Sequence, residues 1–229
     1  MPVDAWHHPI RPRGRALRGR TSSARDAATV PVVTSALSPQ DNASAAPSPL
    51  DEQLRKVLVN GPRLVFVELV GYDEIWPLVY QRVATRLQQR LGERAVLVEH
   101  IGSTSVPGLA AKPIVDVVLG VGDPDDEAAY LRDLEAMGFE LSVREDGHRC
   151  LRGHESGTPV NLHCYRPDAE AVRKYLVFRD HLRAHPADRD RYADAKRALA
   201  GREWPDMNYY AEAKSPIISE ILSRAAGSD

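Results

Sequence analysis

A single carboxylate, Asp116, interrupts the apolar run 114–121, with Val115 before it and Val117, Val118 and Leu119 after it. A strand of that composition is buried, and an unpaired charge inside it is costly. Asp116 therefore requires a partner: a metal, a cation such as Lys112, or several backbone N–H groups. Another apolar run, 96–101, opens into a loop of small residues: Gly102, Ser103, Thr104, Ser105, Pro107 and Gly108. Glycine lets a backbone approach phosphate oxygens, the Ser103 hydroxyl and loop amides bond them, and a strand acid holds Mg²⁺. A third contributor comes from 160–165, where strand alternation places Asn161, His163 and Tyr165 on one face. Asp116 and His163 are thus candidate catalytic and metal-holding residues, with His100 or Glu99 as a further ligand. A metal-free anion site built on Lys112 is equally open, as is a plain turn at Gly102-Ser103 with a structural acid behind it. His100 and Glu99 fall on opposite strand faces, so both cannot enter one pocket without a bulge.

The elements that must position these residues are legible from periodicity. A short helix is predicted over 51–59, ended by Asn60-Gly61-Pro62, and a Val- and Phe-rich strand over 64–69. Ile75, Leu78, Val79, Val83, Leu87 and Leu91 recur at helical spacing across 74–91, with Asp73 as N-cap, Pro77 tolerated in the first turn and Gly92 as the stop. Trp76 reads as a core anchor. Strand, loop and strand follow over 96–121, then a helix over 125–137 with acids in its first turn. Short strands at 139–143, 148–152 and 160–165, separated by tight turns, imply an antiparallel side to the sheet. Beyond Asp168 the pattern is helical: 169–184, 188–200 after His185-Pro186, and 208–224. The fold class is α+β, a mixed sheet with flanking helices and a helical C-terminal third.

Composition bounds what this assembly can do. The 229 residues suit one domain of ordinary size plus a tail, with 43% hydrophobic and 27% charged residues. A net charge of -2 gives no global attraction for nucleic acid or an anionic membrane. No apolar run approaches the roughly 18 residues of a membrane span. Residues 1–50 are rich in Ala, Ser, Pro and Arg, including Arg11, Arg13, Arg15, Arg18, Arg20 and Arg25, and read as a disordered extension. They lack the apolar core of a secretory signal, so a cytoplasmic location is expected. Cys150 and Cys164 flank Gly157 symmetrically, so a hairpin centred there would set them opposite one another. Two reduced thiols are expected from such a pair.

The loop and acid resemble the nucleotidyltransferase pattern, in which a hydrophobic residue and Gly-Ser precede an acid–hydrophobic–acid strand. Here Ile101-Gly102-Ser103 precedes Asp116, and the second acid position holds Val118. The stretch from Glu99 through Gly102-Ser103-Thr104-Ser105-Val106-Pro107-Gly108 and Lys112-Pro113 to Asp116 resembles the signature of the GrpB family. Leu162-His163, Arg179-Asp180-His181-Leu182-Arg183-Ala184-His185-Pro186, Tyr192 with Lys196, and Tyr210 with Lys214 extend the resemblance over about 60–224. It implies a nucleotidyltransferase-like fold, in a domain also found fused to dephospho-CoA kinase; with the tail read as ending at 50, the globular domain is expected over 51–229. It also brings Arg179 and Arg183 forward as contacts for phosphate or an acidic substrate, with Lys196 and Lys214 behind them.

The expectation is a protein that binds ATP or another nucleotide through Gly102, Ser103, Thr104 and Lys112. Mg²⁺ at Asp116 and His163 would then serve transfer of a nucleotidyl group to a small-molecule acceptor, or its activation for amide ligation. A non-catalytic nucleotide- or CoA-binding module is the alternative, since the acid set is incomplete. Neither a Walker loop, a Ser-His-Asp constellation nor zinc-ligand spacing is present in the sequence.

Overall fold

Strand β3 (Val115–Gly120) is buried on both faces, which is why it reads as an almost unbroken apolar run. In this computed structural model, which describes residues 47–227, β3 lies between β2 (Leu97–Ile101), antiparallel to it, and β6 (Thr158–Tyr165), parallel to it. β5 (His148–Glu155) and β4 (Glu140–Glu145) complete a five-stranded mixed sheet in the order β2-β3-β6-β5-β4. Val115, Val117 and Leu119 face helix α2 (Ile75–Leu91) through Trp76, Val79, Val83 and Leu87. Val118 faces the other way, into a second core with Tyr175, Phe178, Tyr192 and Ile221. These come from α4 (Glu170–Ala184), α5 (Pro186–Leu199) and α7 (Ser215–Ala226). The α+β class and the mixed sheet between helices are as the sequence implied.

Several boundaries differ for identifiable reasons. The first helix, α1, spans Pro49–Val57 rather than 51–59, because Ser48 and Asp51 form a capping box that starts it two residues earlier. The rest of the extension assigned to 1–50 lies outside the described residues. The strand expected over 64–69 shrinks to β1 (Val65–Phe66), because its partner β7 (Glu203–Trp204) is equally short. The helix expected over 125–137 is only α3 (Leu131–Ala136). Its intended first turn is drawn outward: Asp125 accepts from Gly147 N and Arg149, and Glu127 from Arg144 and Arg149. The last helix is two, α6 (Met207–Ala213) and α7, since Pro216 has no N–H with which to continue the ladder.

The cysteines are not opposite one another. The β5–β6 turn is a two-residue one, with Ser156 at φ 52 and Gly157 at φ 82, so Glu155 pairs with Thr158. That register sets Cys150 against His163 and Cys164 against Arg149. Cys164 enters the α2-side core, Cys150 packs with Val143 on the other face, and both are free thiols.

Candidate functional site

The loop after β2 turns at Gly102, whose φ of 70 lies in the left-handed region. A side chain there is excluded twice, because a Cβ would sit 2.5 Å from Asp116 Oδ2. The carboxylate thus packs directly on the loop backbone, as the spacing of Gly102 and Asp116 suggested. Three outside contacts hold the loop. Thr104 donates to Ile114 O at 3.2 Å and so accepts from His100 Nε2, 3.1 Å away. Arg183 closes a fork on Ser105 O, at 3.0 and 2.8 Å. Lys196 donates to Ala110 O and sits 3.0 Å from Ser103 Oγ.

Asp116 Oδ1 accepts from Asn161 Nδ2 at 2.9 Å and lies 3.8 Å from His163 Nε2. Asn161, His163 and Tyr165 share that face, as alternation implies. Burial by itself would push the Asp116 carboxyl up, but His163 and Asn161 together hold it below its ordinary value. Burial opposes charge on His163 as well, while the adjacent Cys150 sulfur and Asp116 keep its pKa raised, at about 9. The His163 ring is fixed from behind, with Nδ1 3.3 Å from His148 Nε2, and its Nε2 has no hydrogen-bond partner among the described residues. His100 is the opposite case: burial lowers its pKa to about 4, and it stacks on Tyr80 as a neutral ring.

A cavity of about 90 Å³ opens in front of Asp116, walled by Gly102, Ser103, Tyr175, Tyr192, Met207 and Tyr210. Lys112, Lys196 and Lys214 all converge on it. Among the described residues the hydrogen-bond partner of Lys112 Nζ is a soft acceptor, Met207 Sδ, at 3.1 Å. Lys214, at the α6–α7 break, lies 4.6 Å above the Tyr210 ring, and the buried Tyr210 hydroxyl has no hydrogen-bond partner among the described residues. Burial, partly offset by Asp116, lowers Lys112. Burial and the nearby Lys112 lower Lys214 to about 8, against the pull of Asp116. Burial and the cations Lys214 and Arg197 lower Lys196 to about 6. The chemistry of this cavity is that of a cationic socket with one carboxylate at its base.

Arg179 also reaches the cavity wall, but its guanidinium is occupied by Glu99 at 2.6 Å, His100 O and Asp180. Arg183 is turned away, onto the outside of the loop. Gly102, Ser103, Thr104, Lys112, Asp116, Lys196 and Lys214 are therefore brought together around the cavity, whereas Arg183 supports it from behind. Sequence reasoning missed Met207 and Tyr175, which carry no distinguishing signal. It also missed His148, which the β5–β6 register alone would have placed near His163.

The fold occurs elsewhere. A crystal structure of the conserved protein GrpB from Enterococcus faecalis is similar, with a TM-score of 0.60 and 32% identity, covering 69% of this chain and 96% of that one. The family model for GrpB protein matches residues 66–224, and the chain belongs to that family. A UPF0157 protein of Streptomyces coelicolor is 51% identical over 168 residues, 73% of this chain and 89% of its own. Its counterpart in Halalkalibacterium halodurans is 44% identical over 191 residues, 81% of this chain and 96% of its own. The dephospho-CoA kinase of Mycolicibacterium paratuberculosis is 30% identical over 187 residues, which is 69% of this chain but 46% of that protein.

Proposed function

We propose that this GrpB-family protein binds the phosphate groups of ATP or another nucleotide in the lysine-lined cavity and transfers a nucleotidyl group to a small-molecule acceptor, or activates that acceptor for ligation. The observation that carries this reading is the convergence of the Lys112 and Lys214 ammonium groups on a single carboxylate, both lacking an oxygen acceptor among the described contacts. Cations gathered in a low-dielectric site need an anionic ligand to offset their mutual repulsion. The cavity is smaller than the roughly 300 Å³ at which small-molecule pockets begin, so it suits the phosphate end, with the base outside.

Among the described residues no cluster of three or more His, Cys, Asp or Glu could hold a metal. The donor set fits Mg²⁺ only as a metal–nucleotide complex, with Asp116 giving one carboxylate and phosphate oxygens the remaining anionic ligands. Bound in that way, Mg²⁺ would supply charge neutralisation at the phosphates. His163, whose Nε2 lies 3.8 Å from Asp116 Oδ1 and whose pKa is raised by Cys150 and Asp116, stands beside that carboxylate as a counter-cation. Gly102 brings loop amides close to the phosphates, and Thr104 fixes the loop through His100 and Ile114.

A second reading, a non-catalytic nucleotide- or CoA-binding module, draws on Val118, which is buried where the nucleotidyltransferase pattern has an acid. It also draws on the mycobacterial dephospho-CoA kinases among the relatives. Calorimetry of ATP, other nucleoside triphosphates and CoA, with and without Mg²⁺, tests both. Binding that is lost in Lys112→Ala and becomes Mg²⁺-independent in Asp116→Ala supports the cavity as the site. Pyrophosphate release on adding acceptors separates transfer from simple binding. Failure of every nucleotide and CoA to bind wild type would overturn both readings.

A further inference from the structure

We infer that Ser103 and Lys196 form a nucleophile–base pair, so that the group transferred in this cavity is first carried on the Ser103 oxygen. The nature of that group, nucleotidyl, rests on the proposed function above; the reactivity of Ser103 does not. Ser103 is half-buried, follows the Gly102 turn directly and faces the cavity. Lys196 Nζ lies 3.0 Å from its Oγ, within the reach required of a base acting on a hydroxyl. The other contact of Lys196 is the Ala110 carbonyl, which accepts one N–H and aims the amine at Ser103.

The surroundings of Lys196 decide its protonation state. The side chain is 2% exposed, and no carboxylate pairs with it among the described contacts. Lys214 faces it from the α6–α7 break, Arg197 lies beside it on α5, and the Tyr192 ring sits 4.8 Å away. Burial followed by these cations sets its pKa at about 6, so the amine is neutral at pH 7. A neutral amine has two N–H groups and one lone pair. One N–H is taken by Ala110 O, and the lone pair is free to accept the Ser103 proton. Lys112 and Lys214 remain available as charges, and they stand where a departing anion would be received.

The step balances without a further reactant. Ser103 Oγ attacks the α-phosphorus of a nucleoside triphosphate, forming an O–P bond as the bond to pyrophosphate breaks. The Ser103 proton passes to Lys196, which becomes an ammonium, and pyrophosphate leaves against Lys112 and Lys214. An acceptor hydroxyl or amine, or water, then attacks the same phosphorus. Ser103 is released and regains its proton from Lys196, while the proton of the acceptor goes to solvent.

A fluorophosphonate probe, which phosphonylates activated serine hydroxyls, tests the pair directly on the full chain, with the adduct located by peptide mass spectrometry. The expected result is a single adduct on Ser103, at a rate that rises with pH through about 6 and then levels. Ser103→Ala should abolish the adduct, and Lys196→Met should slow it by roughly 100-fold or more, the usual contribution of a positioned base. No adduct on wild type between pH 5 and 9, an adduct elsewhere, or a Lys196→Met rate equal to wild type would each overturn the inference. If Lys196→Met fails to fold, the wild-type pH profile decides: a rate flat across pH 5–7 overturns it. Nucleotide binding without labelling sinks the pair and leaves the nucleotide site; labelling without nucleotide binding does the reverse.

Discussion

Asn161 and Asp116 are register partners on adjacent parallel strands, and the Asn161 amide donates to the Asp116 carboxylate at 2.9 Å. An amide therefore stands where a second metal-holding acid could sit. Asn161→Asp would put two carboxylates within hydrogen-bond distance, which raises the pKa of one and destabilises the pair when both are charged. Thermal melts in EDTA should show a lower Tm than wild type. Added Mg²⁺ should recover Tm in the variant by more than it shifts wild type, and an equal shift in both would count against a cation site at Asp116.

Gly102→Ala tests the close approach of loop and acid. The substitution combines a left-handed backbone with a Cβ placed against Asp116 Oδ2. A cost of about 1–3 kcal/mol in urea unfolding is expected from the strain alone. Part of the loss should return in the double variant with Asp116→Ala, because the carboxylate oxygen that the Cβ meets is then gone.

Arg183→Met removes the fork on the Ser105 carbonyl. The residue is partly exposed, so a loss of about 1 kcal/mol is expected. The sharper readout is hydrogen exchange, where the amides of 103–106 should lose protection while those of β3 keep theirs. Nucleotide affinity should fall without any change in the ligand stoichiometry.

The buried lysine gives a pH dependence of definite sign. In the unfolded chain Lys196 keeps its proton up to about 10.5, whereas in the folded chain it releases it near 6. Between those values the unfolded state binds more protons, so this group makes stability rise with pH, and its penalty is greatest at the acid end. Lys196→Met should therefore be most stabilising, relative to wild type, near pH 6 and should lose that advantage towards pH 10. Unfolding curves at four or five pH values across that window measure it.

The most readable parts of the chain were those with a local cause. The period of Val79, Val83 and Leu87 gave α2, and the isolation of Asp116 in an apolar strand, after Gly102-Ser103, gave the floor of the cavity. Lys196 was harder to read, because on α5 it follows Asp194 and precedes Arg197 on what looks like a solvated helix. Only packing of α5 against the loop buries it. Lys214 sits beside Ser215-Pro216, and that proline marked a helix break that the apolar spacing across 208–224 obscured. The hairpin register was missed by half a residue, since a turn centred on Gly157 and one centred between Ser156 and Gly157 differ only in backbone geometry. That half-residue moves Cys150 from Cys164 to His163.

The break between α6 and α7 has a consequence for how the molecule is assembled. The floor of the cavity is built within fifteen residues of chain, but its lid carries Lys196 and Lys214, from about eighty and a hundred residues further on. Contacts that span so much chain carry a larger loop-closure entropy than those within the floor. Occupation by an anion would then act as a clasp, fastening the C-terminal helices to the sheet and drawing their opening towards that of the whole domain.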